Sequence, residues 1–175
     1  MLDPILNGRT LLCFSLPDQL LGGGDWQRDM IGALRKHNED FLAVTPCRYG
    51  ETDSIRHDHV SFYKTGIYER QTDWERHYLE WAAHKGCIIF WLGCESKTNP
   101  RDDGSPYARD TYGELGEWRG RLMHDPTINL VIGAEQDFPG LSVIHRNFKQ
   151  SINPGFRIHS TMEDVARAAI QKSHP

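Results

Sequence analysis

The sequence predicts an α/β fold: an open parallel sheet of about five strands with helices on both faces. Three observations predict it. Short apolar runs alternate with amphipathic stretches along the 175 residues, the order that builds strand–helix–strand units. The run Cys87–Leu92 is apolar without a break, as a strand covered on both faces of a parallel sheet must be. Glycine or proline punctuates the elements at Pro17, Pro46 and Gly86.

Thr10–Leu16 reads as the first strand, ending at Pro17. Leu20–Gly24 is a glycine-rich loop. Asp25 is a good N-cap for a helix to about Lys36, because its carboxylate accepts from free first-turn N–H groups. Trp26, Met30, Ala33, Leu34 and His37 share one face of that helix. Phe41–Thr45 is the second strand, stopped by Pro46. Residues 47–69 have no period, and long stretches of that kind are often lids or binding loops.

Gln71–Lys85 reads as the second helix, with Trp74, Tyr78, Trp81 and Ala82 as its buried stripe and Gly86 as its stop. Cys87–Leu92 is the third strand and Gly93–Pro106 a polar loop. The third helix runs from about Arg109 to Leu122, and Ile128–Ile132 is the fourth strand. Phe156–Ile158 is a short fifth strand. Ser160 and Glu163 have capping-box spacing and open a last helix to about Lys172. Residues 133–155 receive no element. Five such strands suit a flavodoxin-like order, 2-1-3-4-5, in one domain spanning 1–175. Its crevice lies between the loops after strands one and three, Ser15–Gly24 and Gly93–Pro106.

Composition narrows the function classes. Hydrophobic residues are 38% and charged residues 25%, ordinary for a water-soluble domain. A net charge of -4 offers no global basic field to a nucleic-acid polymer. The longest apolar run is too short to span a bilayer. No basic stretch followed by an apolar core begins the chain, so no signal peptide is expected. Cys13, Cys47, Cys87 and Cys94 form no C-x-x-C pair, and three lie in or beside expected strands. A reducing cytoplasm fits that usage best.

Glu114 is the residue of greatest interest. It follows the third strand and the polar loop, in the run Thr111-Tyr112-Gly113-Glu114-Leu115-Gly116-Glu117-Trp118. A sheet of this type places such a carboxylate in the crevice beyond its strand ends. There it can attack a sugar carbon or hold a ribose hydroxyl. The plainer alternative is a glutamate stabilised by the helix dipole. Gln71, Trp74 and Glu75 share the start of the second helix, also at the crevice end. Glu75 can serve as a proton donor or hold the first acid in place; the plainer reading is again the dipole.

Phe90 or Trp91, at the end of the third strand, is expected at the crevice rim, where an aromatic ring can stack on a base; a core role is the alternative. Gly22-Gly23-Gly24 precedes a helix N-terminus but lacks phosphate-loop spacing, so a flexible turn is the better reading. His57-Asp58-His59 has ligand chemistry without a completing partner, and a solvated loop is the default. Gly113, Gly116 and Gly120 form a stripe opposite Leu115, Trp118 and Leu122, which suggests close approach of a neighbouring loop or a second subunit.

Three stretches resemble the nucleoside 2-deoxyribosyltransferase-like family. One is Cys87–Trp118, an apolar strand, a variable loop and an E-L-G helix. The second is Gln71-Thr72-Asp73-Trp74-Glu75, similar to a Q-x-x-W-E pattern of one branch. The third is Ser15-Leu16-Pro17 followed by Asp25-Trp26; Thr45-Pro46-Cys47-Arg48 loosely echoes a further proline–arginine element. The likeness covers roughly residues 10 to 140. It implies a flavodoxin-like fold and Glu114 as a nucleophile that forms a glycosyl-enzyme ester, with Glu75 as the second catalytic acid. The candidate substrate-binding residues are Asp25, Trp26, Arg48, Gln71, Trp91, Arg109 and Asp110, the last as a substitute for an aspartate the family often carries before E-L-G; the resemblance implies a nucleoside or nucleotide substrate and a homo-oligomer, and no cofactor or metal is expected. The chain departs from the family at Gly86, where an aspartate is common. Its long loop carries Arg101 and Arg109, which suit a phosphate or a larger substrate. Transferase and hydrolase both stay open, as does a non-catalytic nucleotide sensor.

Overall fold

The computed structural model describes the backbone of residues 10–15, 26–45, 60–61, 71–98, 100 and 106–173. Side chains are described for 26–45, 73–98, 100 and 106–173. The chain is an α/β protein. Its elements are β1 (Thr10–Ser15), α1 (Trp26–Arg35), β2 (Phe41–Val44), β3 (Val60–Ser61), α2 (Gln71–Lys85) and β4 (Gly86–Leu92), then α3 (Arg109–His124), β5 (Leu130–Ala134), α4 (Leu141–Ser151), β6 (Ile158–His159) and α5 (Met162–Ser173). The strands pair in the order β3-β2-β1-β4-β5-β6, and every pairing is parallel. β3 and β6, at the two edges, are two residues long.

β4 explains the architecture. All seven of its residues are buried. Because strand side chains alternate, Ile88, Phe90 and Leu92 pack with Trp74, Leu115, Trp118 and Phe148 of α2, α3 and α4. Cys87, Ile89 and Trp91 pack with Met30, Leu34, Val165 and Ala169 of α1 and α5. Two separate layers cover the strand, so no position along it is free to be polar.

Close packing on the α1–α5 layer depends on Gly133 of β5. A Cβ at this position would lie 2.6 Å from Trp91 Cε3 and closer still to Val165 Cγ2. Hydrogen instead of a side chain lets the Trp91 ring and α5 close over the sheet.

Several expectations need correction. α4 falls where the sequence suggests no element, although Leu141, Ile144 and Phe148 have helical spacing; Ile144 and Phe148 are buried. β3 falls within the stretch read as lacking structure. In α2 the fully covered residues are Trp74, Leu79, Ala82 and Ala83, while Tyr78 and Trp81 are half-buried. The helix is turned so that its aromatic rings pack along its flank: Trp74 and Tyr78 lie 5.1 Å apart. The cap of α5 is shifted by one residue. Thr161 Oγ1 accepts the Asp164 N–H at 3.1 Å and donates to Asp164 Oδ2 at 2.7 Å, in place of Ser160 and Glu163. Glu163 instead meets His37 at 2.5 Å, tying α5 to the end of α1.

Among the described residues no helix is long and apolar enough to cross a membrane.

Candidate functional site

α2 and α3 both run against the strands, so their N-termini lie at the end of the sheet where β4 and β5 finish. The two described ends of the segment between β4 and α3 are tied together there. Tyr107 Oη donates to the Gly93 carbonyl at 2.7 Å, and the Tyr107 ring lies 6.4 Å from Phe138. Tyr112 Oη donates to the Pro139 carbonyl at 2.5 Å. Ala108, just before α3, has φ 58 and ψ 21, the left-handed region. An alanine there costs about 1 kcal/mol or more, and surrounding contacts must hold it. The held turn fixes where α3 begins and so where Glu114 lies.

Thr111, Leu115, Trp118 and Leu122 are the buried stripe of α3. Glu114 precedes Leu115 and is half-buried on the flank of that stripe. A cavity of about 150 Å³ lies between α2 and α3. Glu75, Arg76, Leu79 and Glu80 line it from α2, and Glu114, Glu117, Trp118 and Arg121 from α3. Leu79 and Trp118 give it an apolar floor, and the other lining residues are charged. The two expected acids therefore come together, from helices far apart in sequence. Both lie just past the first turn of their helices, since 3.6 residues make a turn. Helix-dipole stabilisation fades within the first turn, so the dipole accounts poorly for either carboxylate.

The opposite end of the groove is an ion-pair cluster. Arg121 Nη1 donates to Glu80, and Arg121 Nη2 donates to Glu117 at 2.7 Å. The guanidinium stacks 4.7 Å from the centre of the Trp118 ring. The Glu80 hydrogen bond, helped by Glu117, holds Arg121 above even its ordinary pKa.

Other expected site residues lie elsewhere. Arg109 and Asp110 are exposed at the start of α3, with Arg109 Nε 3.4 Å from Asp110 Oδ1. Neither lines the groove. Trp91 is not a rim residue: it is 4% exposed, on the α1–α5 side of the sheet, and Phe90 is fully buried on the other side. Continuous burial of β4 leaves neither ring free to stack on a base. Trp26 is likewise packed in the α1–α5 layer. Gln71 is the first residue of α2, and its side chain lies outside the described residues. Asp25, Arg48, Gly22–Gly24, His57–His59 and Arg101 also lie outside them.

The structure adds residues that the sequence reading missed. Gln27, at the start of α1, is fully buried and accepts a hydrogen bond from the Thr45 hydroxyl at the end of β2. Gln27 Nε2 and Trp91 Nε1 are buried donors without a hydrogen-bond partner among the described residues. Each such donor costs about 1–3 kcal/mol unless water or a ligand oxygen meets it. The signal was legible: Gln27 sits four residues before Ile31 on the apolar face of α1, where a polar side chain needs a reason. Glu135, after β5, accepts the Cys94 N–H at 2.8 Å and bridges the exits of β4 and β5. Burial, then Glu135, pushes the Cys94 thiol up to about 11, so it is no nucleophile at neutral pH. Among the described residues no three His, Cys, Asp or Glu side chains converge as metal ligands.

Comparison with protein-family models, curated proteins and solved structures returned no match.

Proposed function

We propose that this chain is a nucleoside 2-deoxyribosyltransferase-like enzyme that transfers a glycosyl group between bases, with Glu114 as nucleophile and Glu75 as proton donor and acceptor. One observation carries the reading: Glu75 and Glu114 line the same groove between α2 and α3, near the N-terminal ends of both helices. The sheet order, with helical layers on both faces, is in keeping with a flavodoxin-like fold.

The chemistry follows from two carboxyl groups. A Glu114 oxygen bonds to the anomeric carbon as the bond to the base breaks, and the base leaves with that electron pair. The Glu75 carboxyl protonates the leaving nitrogen. The transition state is oxocarbenium-like, so carboxylates nearby stabilise it as it forms. The second half reverses the first. Glu75, now ionised, removes a proton from an acceptor base, whose nitrogen displaces the Glu114 ester. The substrate is a nucleoside or nucleotide, the enzyme works without cofactor in the cytoplasm, and it assembles as a homo-oligomer.

Incubation with a deoxynucleoside and a different free base tests this. Exchange of bases supports transfer. Free sugar or sugar phosphate as the sole product makes the protein a hydrolase. Binding without product makes it a sensor, and the catalytic reading is wrong.

A further inference from the structure

A second cavity, of about 380 Å³, lies between α4, β6 and the start of α5. Its wall carries Lys149 of α4, Arg157 of the turn before β6, His159 of β6, and Ser160 just ahead of α5. It shares no lining residue with the Glu114 groove. All of its lining residues also fall beyond the stretch that carries the family resemblance.

The charge in this cavity is one-sided. Lys149 and Arg157 bring two permanent cations. The single acid in the wall, Asp164, is already engaged: Oδ2 accepts from Thr161 at 2.7 Å and Oδ1 from Arg167 at 3.1 Å. Arg167 is outside the wall, so the Asp164 charge is answered from behind. The cavity also opens beside the N-terminus of the 12-residue helix α5, whose dipole adds positive potential. His145 shapes the far wall, with Nε2 3.2 Å from the Phe156 carbonyl oxygen, which ties α4 to the 154–157 turn.

We propose that this cavity binds a phosphate monoester of a small molecule, with Lys149, Arg157, His159 and Ser160 around the phosphoryl group. Arginine and lysine beside a helix N-terminus suit a tetrahedral oxyanion. The volume exceeds what a bare phosphate fills and lies in the range of small-ligand sites. His159 is held below its ordinary pKa, chiefly by burial, with Arg157 adding to the effect and Asp164 opposing it. It is therefore neutral near pH 7 and reports an arriving dianion by taking up a proton more readily.

NMR titration of the full chain with inorganic phosphate and, separately, with ribose 5-phosphate tests the proposal. Saturable amide shifts confined to residues 145–164 are expected with the ester. The His159 pKa should rise by about half a unit or more at saturation. Replacing Lys149→Ala and Arg157→Ala together should weaken ester binding at least about tenfold while leaving the circular dichroism spectrum unchanged. Should that pair fail to fold, Lys149→Glu alone serves, because Lys149 is exposed. Shifts that do not saturate, shifts that survive these substitutions, or binding of inorganic phosphate without the ester would each overturn the proposal.

Discussion

Glu75 of α2 and Glu114 of α3 line one groove, each just beyond the first turn of its helix. Two carboxylates brought this near have different uses only if their surroundings separate their protonation. Arg121 occupies the far end of the groove, where it engages Glu80 and Glu117. Glu75 and Glu114 lie nearer the N-terminal ends of α2 and α3.

Glu75→Gln should slow turnover on the order of 10²-fold, the lower range for general acid–base catalysis. An amide cannot deliver the proton the leaving base needs. The pH–rate profile should lose one limb. An unchanged profile would mean that Glu75 is a surface acid.

Gly133→Ala should destabilise the fold without touching the groove. The new methyl collides with Trp91 and Val165, both buried. Overpacking of this kind costs about 1–3 kcal/mol, which lowers the melting temperature by several degrees in a chain of this size. A melting temperature equal to or above wild type would contradict the packing described.

Gly116→Leu tests the proposed contact between two copies of the chain. Apart from chain neighbours and the backbone of α3 itself, no described atom lies within 4 Å of a Cβ built at Gly113, Gly116 or Gly120. Gly116 borders a hollow of about 410 Å³ with Tyr112, Ile144 and Phe148. The chain therefore does not cover this stripe with its own described residues, and a two-fold contact there would use one patch twice. Light scattering should show a shift towards monomer with helix content retained. An unchanged mass would place the contact elsewhere.

Acid should weaken the fold through two threonine-bonded aspartates. Thr161 holds the Asp164 carboxyl below its ordinary value, and Thr127 does the same for Asp125. A folded pKa below the unfolded one stabilises above the unfolded value and loses that contribution as pH falls through the folded value. The window lies below pH about 4. Urea midpoints across that window should fall less in the double variant Asp125→Asn and Asp164→Asn than in wild type. An equal fall would refute the assignment.

What the sequence revealed depended on how local each signal was. Trp26, Met30 and Leu34 announce α1 by spacing alone, and the unbroken run at β4 announces burial on two faces. α4 was missed because Val143 and Ile144 are β-branched and Val143 is exposed, which blurs the apolar stripe. The Glu75–Glu114 groove was legible only as two helix starts at one end of a sheet; its lining needed the relative rotation of α2 and α3. The burial of Gln27 is legible from its place on the apolar face of α1, but its partner Thr45 and the Glu135 bridge to Cys94 join elements distant in sequence, which no periodicity announces. Trp91 shows the reverse limit. Its place near a strand end is readable, but not the face it takes, where Gly133 of the paired strand leaves room for the ring.

The most direct test of the account is to map the covalent intermediate. A deoxynucleoside carrying fluorine at the 2-position reacts slowly, because the electronegative substituent destabilises an oxocarbenium-like transition state. Incubation followed by peptide mass spectrometry should place one glycosyl group on the Glu114 carboxylate, and Glu114→Gln should carry none, because an amide is a poor nucleophile. Base exchange by Glu114→Gln should fall far more than tenfold, a barrier change well above about 1.4 kcal/mol. An adduct on another residue, or exchange by Glu114→Gln within about tenfold of wild type, would contradict the role assigned to Glu114.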